Sequence, residues 1–160
     1  MVRRARLALA ALVVTASVAA AECPLPATIE FLHPSSRGIG AGFGFNVHPL
    51  LQIRKNHPGL DYDGPVGDEI RAAADGTVSA VGYDGPSGFG NLVVIEHGNG
   101  RLSRYAHLQS FGAVKAGDCV KAGRVIGKMG NSGLSATPHL HFEVHIDGVA
   151  VDPMTVLPAR

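Results

Sequence analysis

Residues 137–147 read TPHLHFEVHID. His139, His141, Glu143 and His145 fall at every second position, and Leu140, Phe142, Val144 and Ile146 fill the gaps. A strand sends successive side chains to opposite faces, whereas a helix returns to one face every three or four residues. This alternation therefore predicts a strand with one apolar face and one face carrying three imidazoles and a carboxylate.

Outward from this stretch, short apolar runs alternate with turn signals. Strands are predicted at 28–32 (TIEFL), 69–73, 76–83, 91–97, 101–108, 124–130 and near 148–152, with a Gly-rich turn region after the first. Asp75-Gly76 predicts a hairpin joining 69–73 to 76–83, and Gly98-Asn99-Gly100 predicts another between 91–97 and 101–108. No segment after residue 21 sustains a helical apolar period. The expected fold is all-β, an antiparallel sandwich or barrel-sandwich hybrid, and 21 Gly and 10 Pro supply the tight turns it needs. Hydrophobic residues at 46% against 17% charged exclude a disordered chain. A net charge of +1 gives no electrostatic footprint for nucleic acid or anionic lipid.

Arg3, Arg4 and Arg6 precede an apolar run from Leu7 to Ala21 that ends in small residues, with Ala19 and Ala21 framing an A-x-A site. This is the pattern of a secretory signal peptide cut after Ala21, and the run is short of the ~20 residues of a membrane span. The expected organisation is a signal peptide at 1–21, an N-terminal segment at 22–45 and one domain at 46–157, acting as a monomer in the periplasm or outside the cell. Two cysteines remain, Cys23 and Cys119. In an oxidising compartment they are a candidate disulfide, and two free thiols are the competing reading.

Eight histidines are many for 160 residues. In HPGLDYDGP (57–65), His57 and Asp61 lie four apart, and in an extended or turned segment they share a face. A neutral imidazole and a carboxylate suit zinc, although an Asp in a turn beside a surface His produces the same pattern. His139 and His141 lie roughly 6.5–7 Å apart on their strand, so both reach one cleft. Three protein ligands with an open fourth position make a catalytic zinc arrangement, which lowers the pKa of water to ~7. His145, about 13 Å from His141 along the strand, is too far for the same metal. Glu143 is expected to be a supporting or surface partner, and His97 a structural residue at a hairpin corner.

HPGLDY, YAHL and TPHLHFEV, in this order, resemble the lysostaphin/LytM-type zinc endopeptidases, and the likeness extends over about residues 40–155. The resemblance implies one Zn2+ held by His57, Asp61 and His141. It implies that His107 of YAHL and His139 are catalytic residues that do not bind the metal, without deciding which is the base. It also implies a sandwich with an open groove and hydrolysis of peptide bonds in bacterial cell-wall peptidoglycan. A non-catalytic wall binder or regulator on the same fold is the alternative, and the presence of every ligand residue weighs against it. Ala106 stands where glycine is common in the family, and Asn46 where many relatives carry arginine.

Overall fold

The computed structural model describes residues 23–160, so the expected signal peptide lies outside the described residues. Twelve strands and one short 3-10 turn make up the described regular structure, and every strand pairing is antiparallel. The strands are β1 (Ile39–Ala41), β2 (Gly44–Val47), β3 (Arg54–His57), β4 (Leu60–Asp63), β5 (Glu69–Arg71) and β6 (Gly76–Tyr83). They continue with β7 (Asn91–Gly98), β8 (Arg101–Phe111), β9 (Cys119–Val120), β10 (Val125–Met129), β11 (His139–Ile146) and β12 (Val149–Val151). The all-β expectation holds. No helix among the described residues is long and apolar enough to cross a membrane.

The main sheet runs β1-β4-β11-β8-β7-β6-β9, with β12 on β11 and with β10 pairing both β8 and β5. The separate β2–β3 hairpin stands beside it. Strand β11 is the centre of the arrangement, because it pairs with β4, β8 and β12. Its apolar set, Leu140, Phe142 and Val144, enters the core with Leu60 and Tyr62 of β4 and Tyr105 of β8. Phe142 packs on Tyr105 with ring centroids 5.3 Å apart. Full burial of such a ring contributes about 1.5–3 kcal/mol. The opposite face of β11 is not the solvated face that alternation suggests. His141 is 5% exposed and Glu143 1%.

Two turns follow the sequence closely. Asn99 and Gly100 both have positive φ, as a two-residue hairpin between right-twisted strands demands, and Asp147-Gly148 repeats the device between β11 and β12. Three expectations fail. The 28–32 stretch forms no strand: near its end only Leu32 N–H donates to Ala73 O and Pro34 O accepts from Arg71 N–H. Pro34 has no N–H to extend this into a ladder. Phe31 is nevertheless buried in the core. The supposed turn region that follows contains β1 and β2. Asp75-Gly76 closes no hairpin either, since β5 pairs with β10 while β6 pairs with β7 and β9. The Asp75 carboxylate accepts from Ala122 N–H and Lys121, and its carbonyl from His97 Nδ1, which pins the bend to β7 and the 121–122 loop. Cys23 and Cys119 form a disulfide with Cα atoms 5.5 Å apart, tying the N-terminal segment to β9.

Candidate metal centre and catalytic groove

Strand parity places the first two site residues. Leu60 and Tyr62 of β4 are buried in the core, so Asp61 between them faces the other way. Asp61 lies directly opposite His141 in the β4–β11 register. His57 ends β3, and the Pro58-Gly59 bend turns the chain back into β4. A Cβ on Gly59 would stand 2.2 Å from the Phe142 carbonyl oxygen, so only glycine lets this bend lie against β11. The bend and the ring of Phe89, stacked on His141 at 5.7 Å, roof the polar face of β11.

His57, Asp61 and His141 converge. His57 Nε2 is 3.0 Å from Asp61 Oδ1 and 3.0 Å from His141 Nδ1, and His141 Nδ1 is 2.9 Å from Asp61 Oδ1. The far nitrogen of each ring is committed. His57 Nδ1 donates to Gly42 O at 2.7 Å, and His141 Nε2 donates to Glu143 Oε1 at 2.9 Å. Two imidazole lone pairs and a carboxylate oxygen therefore point at one another, an arrangement that requires a cation or a proton between them. Zinc with bonds of ~2.0–2.2 Å spaces tetrahedral donors about 3.3–3.6 Å apart, roughly half an ångström wider than this trio, which small side-chain rotations supply. The residues fit the metal that the sequence resemblance implies. These three are a group of His and Asp side chains whose ligand atoms can reach one ion.

Burial opposes a charge on His141, but hydrogen bonds to Asp61 and Glu143 outweigh it and push the imidazole up to about 9. Burial likewise raises the Asp61 carboxyl, and the His141 and His57 contacts overcome it and hold that group well below the usual carboxylate range.

His107 and His139 stand beside the trio with their rings 4.8 Å apart. His139 comes from the same face of β11, its Nδ1 donating to Thr137 O and close to Ser135 Oγ, and its Nε2 lies 3.7 Å from Asp61 Oδ1. His107 arrives through a bulge. Ser103, Tyr105 and Leu108 are all buried, so the inward parity of β8 shifts by one residue. Asn91 faces Leu108 and Val93 faces Tyr105, which leaves Leu92 opposite both Ala106 and His107. A bulge of this kind re-aims a side chain. His107 holds φ 59°, strained for a residue other than glycine. The displaced backbone is recovered by a bond from His107 N–H to Phe89 O, and the ring by one from Nδ1 to Ser132 O at 2.7 Å. Burial, then the neighbouring His139, lowers His107 to about 4, so it is neutral at neutral pH.

These side chains line a groove of about 410 Å³, whose walls include Val47 and Pro49 of the β2–β3 hairpin region, Phe89, and Leu134 and Ala136 of the loop before β11. All five residues expected at the site thus meet in one groove. His97 does not. It is fully buried between Asp75 O and Ser103 Oγ, and burial lowers its pKa, which suits a structural role. His145 stays out of the trio as expected, with Nε2 on Glu143 at 2.6 Å. Phe89 and Ser132 carried no recognisable sequence signal, because the contacts they make, to His141 and His107, join segments far apart in the chain. Glu143 is a different case, since its place two residues beyond His141 on the same strand face was visible in the sequence.

Residues 55–153 match the model of peptidase family M23. The chain belongs to this family. It is 42% identical over 118 residues to the DD-carboxypeptidase/endopeptidase Mpg of Neisseria meningitidis serogroup B, covering 74% of this chain and 26% of that protein. It is also 42% identical over 102 residues to the murein hydrolase activator NlpD of Salmonella typhimurium, covering 64% and 26%. Among solved structures, a zinc-containing peptidase from Vibrio cholerae superposes with a TM-score of 0.69 at 36% identity, covering 82% of this chain and 40% of that one. The chain thus spans about a quarter of the length of these curated relatives. The lysostaphin-type likeness read from the three motifs holds, and it places the protein in a metallopeptidase family that includes endopeptidases.

Proposed function

We propose that this chain is a zinc-dependent endopeptidase that hydrolyses peptide bonds of bacterial cell-wall peptidoglycan outside the cytoplasm. The observation that carries the reading is the convergence of His57 Nε2, Asp61 Oδ1 and His141 Nδ1 beside two further imidazoles in one groove. The disulfide between Cys23 and Cys119 supports an oxidising compartment.

In this reading His57, Asp61 and His141 hold the metal, which supplies Lewis acidity to a carbonyl and to water when bound. The chain does the rest. His107 and His139 each donate Nδ1–H to a backbone carbonyl, so each turns Nε2 toward the groove. An Nε2 so placed can accept the proton that an attacking water gives up and return it to the leaving amine. His107, held near 4 by burial, stays free to accept across the neutral range. Phe89 and Leu134 place apolar surface beside these imidazoles, where electrostatic contacts are stronger than in bulk water.

Incubating the purified protein with sacculi and identifying released fragments by mass spectrometry tests this. Cleaved stem or cross-bridge peptides are expected from zinc-loaded protein. His141→Ala should lose zinc, whereas His107→Ala should keep it and lose 10²–10⁴-fold in turnover. Stoichiometric zinc with no released fragment would instead favour the second reading, a non-catalytic activator, which the likeness to NlpD keeps in play.

A further inference from the structure

Glu143 sits where an apolar residue would pack at less cost. It is 1% exposed and shares its strand face with His139 and His141, which line the groove. Both of its oxygens are engaged. Oε1 accepts from His141 Nε2 at 2.9 Å, and Oε2 accepts from His145 Nε2 at 2.6 Å and from Arg104 at 3.4 Å. Arg104 is the direct cross-strand partner of Glu143. Its guanidinium also lies 5.8 Å from the centre of the Phe89 ring, which in turn stacks on His141. His141 is thus gripped on its edge by the carboxylate and on its face by Phe89, and Arg104 touches both grips.

Of the five imidazoles that line the groove, the four that meet at His57, Asp61 and His141 differ in one respect. His57, His107 and His139 each spend Nδ1 on a backbone carbonyl and present Nε2. His141 alone spends Nε2 and presents Nδ1. Its ring therefore depends on a side chain for an orientation that its neighbours obtain from the backbone. A carboxylate behind a ligating imidazole fixes which nitrogen carries hydrogen and raises the ring's strength as a donor.

We propose that Glu143 is a positioning residue for the metal: it holds hydrogen on Nε2 of His141 so that Nδ1 faces His57 and Asp61, and His145 and Arg104 hold the carboxylate in that direction. The proposal rests on the metal reading given above. It makes HLHFEVH one device, with a proton-handling residue at 139, a ligand at 141, its anchor at 143 and the anchor's brace at 145.

Two measurements on the full chain test it. The first is zinc affinity by competition with a chelator of known strength. Glu143→Gln keeps the shape but removes the charge, and is expected to bind zinc 10–100-fold more weakly with unchanged circular dichroism. His145→Asn, which lies outside the groove, is expected to weaken zinc in the same direction by a smaller factor. Glu143→Gln affinity within twofold of wild type overturns the proposal. The second needs no variant. In wild-type protein loaded with cadmium-113, nitrogen-15 NMR reports which nitrogen of His141 carries the metal. Coupling through Nδ1 is expected, and coupling through Nε2 overturns the proposal even if Glu143→Gln does not fold. A wild-type protein that binds neither ion defeats the metal reading itself, a result distinct from either failure.

Discussion

Gly133→Ala separates the positioning of His107 from the metal centre. Gly133 has φ 73°, and a Cβ there would stand 2.4 Å from Gly90 N, 2.5 Å from Gly88 O and 2.8 Å from Gly90 Cα. All three are backbone atoms, so no flexible side chain can yield. The left-handed conformation costs alanine about 1–2 kcal/mol, and overpacking adds about 1–3 kcal/mol. A stability loss of about 2–5 kcal/mol in urea denaturation is expected. Residues 88–90 are held by His107 N–H on Phe89 O and Asp84 N–H on Gly90 O, so relief to an ordinary contact requires the 132–133 loop to draw back from them by about 1 Å. Ser132 lies within this contact, and its carbonyl is the acceptor for His107 Nδ1 at 2.7 Å. Stretched by about 1 Å, that bond passes beyond hydrogen-bonding range. With His107 in the proton-transfer role proposed above, a misplacement of this size costs on the order of 10²-fold in turnover. Zinc content by elemental analysis should stay at wild-type stoichiometry, because the ligands come from β3, β4 and β11. Gly85→Ala, also at positive φ (83°) but with open space around the added methyl, controls for backbone strain alone. Wild-type turnover in a destabilised Gly133→Ala would refute the role given to the Ser132 carbonyl, and loss of zinc would refute the independence of the two halves of the site.

Two further outcomes concern stability. In the metal-free protein His141, raised to about 9, binds its proton more tightly folded than unfolded, so its contribution is present below about pH 6.5 and is lost as pH rises through 9. His107, lowered to about 4, resists a proton that the unfolded chain accepts near 6.5, so stability is lost as pH falls from about 6.5 through 4. Each limb is on the order of 3 kcal/mol at 1.36 kcal/mol per pKa unit. Urea midpoints across pH 4–10 should therefore peak near neutrality, and zinc should abolish the alkaline limb; a flat or monotonic profile contradicts both assignments. Cys119→Ser opens a loop with a sequence separation of 96, for which the chain-entropy model gives at most about 4–5 kcal/mol. Denaturant titration under oxidising conditions should show a loss approaching that figure, and a change below about 1 kcal/mol would mean that the reduced chain retains the same constraint.

What the sequence disclosed and what it withheld divide along one physical line. Alternation is a property of the local backbone, so it identified β11, placed Leu140 and Phe142 in the core, and put His139, His141 and Glu143 on a common face. The turn at Asn99-Gly100 was equally local, because two adjacent residues carry the positive φ it needs. Asp75-Gly76 offered the same dipeptide signal and misled, since contacts from β7 and the 121–122 loop decide that bend. The role of Glu143 was withheld for a related reason. Whether a strand face meets water depends on what covers it, and the cover here comes from Gly59 and Phe89, far away in the chain.

His107 shows most sharply how far spacing alone can reach. On an unbroken strand it would share the parity of Ser103 and Tyr105 and point into the core. The family resemblance named it as catalytic, but no local pattern in RLSRYAHL says how its side chain leaves the core. One additional residue at Ala106-His107 supplies the answer, at the expense of a strained φ and a backbone bond diverted to Phe89. That diversion joins the two parts of the site. The loop that receives the His107 N–H through Phe89 O also places the Phe89 ring on His141. A rearrangement of residues 84–90 would therefore disturb His107 and His141 together, whereas one confined to residues 132–133 displaces the acceptor of His107 without moving Phe89.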